Sequence, residues 1–218
     1  MHKNVINLIE IKKEINLKKL DPVNEVKVIA ISKTFSMEKI LPLIDYGHLD
    51  FGENKVQEAN DKWSAIKEKK KNLNLHMVGR LQTNKVKQAL RIFDYIHSLD
   101  SIKLAKKISE EQKKIRKKVK IFIQINIGNE KQKSGINIDE LDNFFNLCVN
   151  DLDLDIIGLM CLPPANLDPS VYFENMRDAL KNLSLKELSM GMSSDYLTAI
   201  KFNASYVRIG SRIFGKRD

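Results

Sequence analysis

Val26-Lys27-Val28-Ile29-Ala30-Ile31-Ser32-Lys33-Thr34 is the stretch from which the fold is read. Its apolar, β-branched run reads as a buried strand over residues 26–31. Lys33 then falls at the strand's C-terminal end. A lysine at the rim of a sheet or barrel can leave the solvent, present a neutral amine and condense with an aldehyde. A lysine that merely opens a loop stays solvated and inert. Position alone leaves both readings open.

The same pattern recurs outward from this strand. Further β-like runs cover 49–51, 75–78, 95–98, 119–126, 154–160, 187–190 and 206–209. Helix-like runs cover 4–20, 37–47, 56–70, 85–91, 102–113, 138–149, 170–182 and 195–201. Ser36 is the expected N-cap and Gly47 the expected stop of the second helix. A polar loop, 128–135, follows the fifth strand. Strict alternation of strand and helix means a parallel sheet with helical crossovers. Eight units favour a closed (β/α)8 barrel with an extra N-terminal helix, an open doubly wound sheet being the alternative. No linker or low-complexity stretch divides residues 1–218, so a single domain is expected.

The chain has 218 residues, 43% of them hydrophobic and 30% charged, enough for one full core. No apolar run reaches the roughly 18–20 residues that span a bilayer. The first residues lead into a charged amphipathic stretch and lack a signal peptide's apolar region. A soluble, cytoplasmic protein is expected. Cys148 and Cys161 stand alone in apolar contexts and read as buried, reduced thiols. His2, His48, His76 and His97 are scattered and suggest no metal site. The net charge of +9 is concentrated near 67–71 and 113–118. Lysine-rich runs without interleaved aromatic residues read as solvated helix ends in preference to a nucleic-acid surface.

In a parallel barrel every strand's C-terminal end faces one rim, where active sites form. The residues gathered there are Lys33; Gly52, Glu53 and Asn54; Gly79, Leu81, Gln82, Asn84 and Lys85; Ser98 and Asp100; Asn126 and Lys133-Ser134-Gly135; Gly191, Ser193 and Ser194; and Arg208, Gly210 and Ser211. Gly158 and Met160 belong to the same set. Gly191-Met192-Ser193-Ser194-Asp195 and Arg208-Ile209-Gly210-Ser211 set glycine and hydroxyls before helix starts, an arrangement that can hold a phosphate with help from the helix dipole. Ordinary N-capping accounts for either loop alone; two at one rim favour phosphate. Arg208, between Val207 and Ile209, is either an internal ion-pair partner or a fixed cation facing a ligand.

An amine, a phosphate grip and an opposing cation suggest a phosphorylated aldehyde, with pyridoxal 5′-phosphate the obvious candidate. The chain resembles the pyridoxal phosphate homeostasis proteins (YggS/PROSC type). The resemblance is carried by Ala30-Ile31-Ser32-Lys33-Thr34, Phe51-Gly52-Glu53-Asn54, His76-Met77-Val78-Gly79-Arg80-Leu81-Gln82-Thr83-Asn84-Lys85, Ser189-Met190-Gly191-Met192-Ser193-Ser194-Asp195 and Val207-Arg208-Ile209-Gly210-Ser211. It implies a barrel like the N-terminal domain of alanine racemase, with Lys33 as the aldimine lysine. Arg208 would face the pyridine nitrogen and keep it unprotonated, weakening the cofactor as an electron sink. Ser193, Ser194, Gly210 and Ser211 would surround the phosphate, and Asn54 would lie near the ring. Lys55, Arg80 and Thr83 depart from the residues common in that family.

The resemblance further implies carriage of the cofactor and balance of vitamin B6 pools, with pyridoxal-phosphate-dependent apoenzymes as candidate recipients and no catalytic residue. A racemase is the alternative. It needs a second base on the opposite face of the substrate, which the racemases draw from an additional domain that this sequence lacks. That lack also points to a monomer.

Overall fold

The β-branched runs become strands because their side chains pack well on a pleated surface that helices cover on one side and neighbouring strands cover on the other. The computed structural model describes residues 1–20, 25–130 and 132–216. Residue 131, within the expected 128–135 loop, and residues 217–218 lie outside the described part. A helix, α1 (Lys3–Lys18), precedes the repeating units. Then follow β1 (Lys27–Ile31), α2 (Met37–Asp45), β2 (Asp50–Glu53), α3 (Val56–Lys69), β3 (Asn74–Met77), α4 (Val86–Ile92), β4 (Tyr95–Leu99) and α5 (Ile102–Ile115). The second half contains β5 (Lys120–Ile125), α6 (Leu141–Asn146), β6 (Asp155–Cys161), α7 (Ser170–Asn182), β7 (Glu187–Met192), α8 (Tyr196–Lys201), β8 (Tyr206–Ile209) and α9 (Ser211–Phe214).

Every strand pairs in parallel with the next, and β1 pairs with β8, which closes the barrel expected from the sequence. The open sheet is excluded. Three local expectations need correction. Gly52 and Glu53 belong to β2 and not to the loop after it. Ser36 occupies the N-cap position of α2 without a capping hydrogen bond from its side chain. The run 138–149 is not one helix: a 3-10 turn (Ile138–Glu140) leads into α6, which widens into a π turn (Leu147–Asp151). Gly47 does end α2, at φ +93°.

The core has two layers. The larger fills the space between barrel and helices, with Trp63, Phe51 and Phe93 among its fully buried side chains. Burial of each such side chain contributes roughly 1.5–3 kcal/mol. The smaller lies inside the barrel and includes Ile29, Ile31, Tyr95, Phe122, Met160 and Tyr206. Gly52 faces this interior, where a Cβ would come within 2.6 Å of Ile31 Cδ1. Cys148 and Cys161 are buried and unbridged, and burial pushes both thiols up to about 12. The lysine runs fall at the ends of α3 and α5, where Lys67 pairs with Asp94, Lys70 with Asp45, and Lys114 with Glu111. Among the described residues no helix is long and apolar enough to cross a membrane.

Candidate functional site

The turn that carries Lys33 is held from three sides. Ser32 N–H continues the β1 ladder onto the Gly52 carbonyl at 3.0 Å. Thr34 follows with φ +68°, the left-handed region that costs a β-branched residue on the order of 1–3 kcal/mol. Its N–H donates to Glu58 Oε1 at 2.6 Å. Burial pushes the Glu58 carboxyl up, but the bonds from Lys62 and Thr34 outweigh it and leave the group below its ordinary value. Lys62 Nζ donates to the carbonyls of Ser32 and Phe35, at 2.8 and 3.2 Å. Lys33, half-buried, therefore projects from a turn whose shape α3 imposes.

Arg208 lies on the inner face of β8, the strand paired with β1, and is 5% exposed. Its Nη1 donates to Ser189 O and Ser189 Oγ, and its Nη2 donates to Cys161 O, all at 2.7–2.8 Å. These bonds leave Nε without a protein partner among the described residues. Burial pulls the guanidinium below the usual arginine range. No carboxylate pairs with it among the described residues, so the ion-pair reading of Arg208 does not hold.

The two glycine- and serine-containing loops meet beside it. Gly191 has φ +90°, and a Cβ there would come within 2.7 Å of Ala199 Cβ. Met192 N–H donates to Asp195 Oδ1 at 2.6 Å, and Gly210 N–H donates to Ser193 Oγ at 3.4 Å, joining the two loops. Ile213 and Phe214 N–H both return to the Gly210 carbonyl at 2.9 Å. That leaves the N–H groups of Ser211 and Arg212 without intrahelical acceptors. Because α8 and α9 are only six and four residues long, local donors count here for more than the helix dipole expected from the sequence.

Lys33, Ser193, Ser194, Arg208, Gly210 and Ser211 line one cleft of about 720 Å³, walled by Phe35, Val78 and Leu162. An adjoining hollow of about 380 Å³ shares Lys33, Val78 and Leu162 and brings in Asn54, Arg80 and Lys133. Asn54 Oδ1 is buried and has no hydrogen-bond donor among the described residues. The described residues lining the two spaces include lysines and arginines but no Asp or Glu, so the site attracts anions.

The structure thus gathers all seven residues singled out for the cofactor at one rim. Of the other strand-end residues, Gly79, Asn126, Lys133 and Ser134 line the adjoining hollow, and several lie elsewhere. Gln82, Asn84 and Asp100 border a separate groove. Ser98 is buried within β4, and Asn126 braces the backbone of Glu130. Glu53 is buried beneath the Lys33 turn, accepting from Ser32 Oγ and Trp63 Nε1. A further hollow of about 630 Å³ lies at the barrel's opposite end, beside Lys27 and Tyr206 and away from the strand C-termini. Sequence reasoning missed Ser189, His97, His76 and Asp50, which lead from Arg208 into the barrel. The available signal was polar residues inside strands otherwise buried on both faces.

Residues 6–218 match the family described as alanine racemase, N-terminal domain. A pyridoxal phosphate homeostasis protein of Pasteurella multocida is 36% identical over 207 residues, covering 90% of this chain and 89% of that protein. The chain belongs to the pyridoxal phosphate homeostasis proteins. PipY of Synechococcus elongatus, solved with PLP bound, superposes with a TM-score of 0.86 at 30% identity, covering 97% of this chain and 100% of that one. An alanine racemase of Clostridium difficile shares the barrel (TM-score 0.76) at 16% identity, and this chain covers 57% of it. That likeness is one of fold alone. The near relatives of this homeostasis family are named for balancing a cofactor, not for a reaction.

Proposed function

We propose that the protein binds pyridoxal 5′-phosphate at Lys33 and acts in intracellular vitamin B6 homeostasis, holding the cofactor for pyridoxal-phosphate-dependent apoenzymes. One observation carries this reading: an amine, two donor-bearing loops and a buried arginine open on a single cationic cleft. Lys33 supplies the amine that condenses with the cofactor's aldehyde. Ser193, Ser194, Gly210 and Ser211 offer hydroxyl and backbone donors to the phosphate. Asn54, whose buried Oδ1 awaits a donor, would lie against the ring. Arg208 would face the ring nitrogen. A guanidinium can only donate, so it accepts as partner only an unprotonated nitrogen. When bound, the cofactor supplies an electrophilic carbon and an electron-withdrawing ring; an unprotonated nitrogen weakens the latter.

The same lining favours binding over turnover. Among the described residues bordering the two spaces there is no tyrosine, histidine, cysteine or carboxylate to serve as a second base. Lys133 is engaged by Glu130 and by the carbonyls of Leu162 and Pro163. A single domain over residues 1–218, a monomeric state and a cytoplasmic location complete the proposal.

The test is borohydride reduction of the cofactor-loaded protein followed by peptide mapping. The label is expected on Lys33 and absent in Lys33→Ala, which also loses the visible absorption band. No cofactor uptake by the purified protein overturns the reading. α-Proton exchange in deuterated water above that of free cofactor restores the racemase alternative.

A further inference from the structure

Five polar side chains on five strands form a line through the barrel. From Arg208 on β8, Nη1 donates to Ser189 Oγ on β7 at 2.7 Å. Ser189 Oγ lies 2.8 Å from His97 Nδ1 on β4. His97 Nε2 lies 2.9 Å from His76 Nδ1 on β3, and His76 Nε2 lies 3.1 Å from Asp50 Oδ1 on β2. Ser189, His97 and His76 are completely buried. The line begins at the cleft and ends near the opposite mouth of the barrel.

Its two ends fix the direction of every hydrogen in it. A guanidinium offers donors only, and an ionised carboxylate offers acceptors only. Burial pushes the Asp50 carboxyl up, but the bonds from His76 and Asn74 outweigh it, so Asp50 is charged. His76 Nε2 must therefore carry a hydrogen. Burial lowers the pKa of both imidazoles, and the nearby Arg208 charge lowers His97 further. Each ring is then neutral and has one N–H. His76 Nδ1 is bare and accepts from His97 Nε2–H. His97 Nδ1 is bare in turn and accepts the Ser189 hydroxyl hydrogen. The Ser189 oxygen accepts from Arg208. His76 stacks on Tyr95 and His97 on Phe122, each with ring centroids 4.3 Å apart, which helps to orient both imidazoles.

We propose that these residues form one directed hydrogen-bond chain in which Ser189, His97 and His76 are positioning residues. They fix Arg208 from below and couple it to Asp50 across the barrel, leaving Nε for the cleft. Each bond in such a chain polarises the next. Its consequence for the cofactor rests on the reading of Arg208 as the residue facing the ring nitrogen.

The first test needs no ligand. Side-chain nitrogen NMR of the ligand-free protein at neutral pH is expected to show His76 and His97 both neutral and both protonated on Nε2. A cationic ring, or a hydrogen on Nδ1 of either, overturns the chain. The second test follows the Arg208 Nε–H resonance. Ser189→Ala keeps both backbone bonds of Arg208 and removes only the hydroxyl. It is expected to shift the His97 signals and speed hydrogen exchange at Arg208 Nε roughly tenfold, the equivalent of one lost bond. His97→Phe keeps the stacking and has the same effect, whereas His97→Gln, with one acceptor and one donor, restores most of the protection. Unchanged Arg208 signals in both Ser189→Ala and His97→Phe overturn the proposal. Borohydride trapping at Lys33, run in parallel, separates the two readings. If trapping proceeds and the Arg208 signals do not move, the chain fails and the site stands. If no cofactor is trapped in the unaltered protein, the site reading fails, and the NMR results still decide the chain.

Discussion

Lys62 Nζ meets Glu53 Oε1 at 2.9 Å directly beneath the Lys33 turn, with the Glu53 side chain fully buried. The same ammonium pairs with Glu58 and binds two carbonyls of the turn. Lys62→Met strands the buried Glu53 charge and should cost about 3–5 kcal/mol in urea denaturation. The turn also loses its two bonds from Lys62 to the Ser32 and Phe35 carbonyls, so borohydride trapping at Lys33 should slow in the same variant. Full stability in Lys62→Met shows that the turn holds itself.

Among the described residues Arg208 is a buried cation without a carboxylate partner, an arrangement that costs stability and that folds tolerate at functional sites. Arg208→Gln retains a donor and sheds the charge. Its ligand-free Tm should not fall, while its retention of pyridoxal 5′-phosphate on dialysis should fall about tenfold or more, as expected for a lost charge-assisted bond. A large drop in Tm instead makes Arg208 chiefly a structural brace.

Stability should decline in mild acid. Burial pulls His48 down to about 4, and burial also lowers His76 and His97. In the unfolded chain these rings titrate near 6.5. Between those values the unfolded state binds more protons, so stability rises with pH. The His48 contribution is complete above about pH 6.5 and is lost as the pH falls toward about 4, by up to about 1.4 kcal/mol per pH unit, and His76 and His97 act in the same direction. Urea midpoints across this range should trace that slope, and His48→Asn should reduce it by one ring's share.

Gly191→Ala asks alanine to adopt φ +90° with its methyl 2.7 Å from Ala199 Cβ. The strain should cost about 1–3 kcal/mol and displace the Ser193 loop. Affinity for pyridoxal 5′-phosphate should fall more than affinity for unphosphorylated pyridoxal. Equal losses for the two ligands place the phosphate elsewhere.

The barrel was legible because its strands are β-branched runs separated by helical periods, from Val28-Ile29-Ala30-Ile31 to Tyr206-Val207-Arg208-Ile209. Lys33, Arg208 and the two serine loops were legible because the rim rule turns strand ends into a list of neighbours. What escaped has physical reasons. The Ser211–Phe214 helix is a single turn and too short to show a period. The π turn at Leu147–Asp151 continues the helical pattern and differs only in its hydrogen bonding. His76, His97 and Ser189 lie below the rim, and a polar residue in mid-strand does not announce which other strand it will meet. Their partnership depends on register, such as the pairing of His76 with Tyr95, which exists only once the barrel has closed.

The pairing of β1 with β8 places the first strand of the barrel beside its last one. Lys33 leaves the ribosome well before Arg208 and the Ser211 turn. A nascent chain therefore carries Lys33 for an interval in which the Ser193 and Ser211 loops of the same cleft are not yet made. The cleft and the closed barrel thus form together, and a chain cut short before β8 has Lys33 but neither of them.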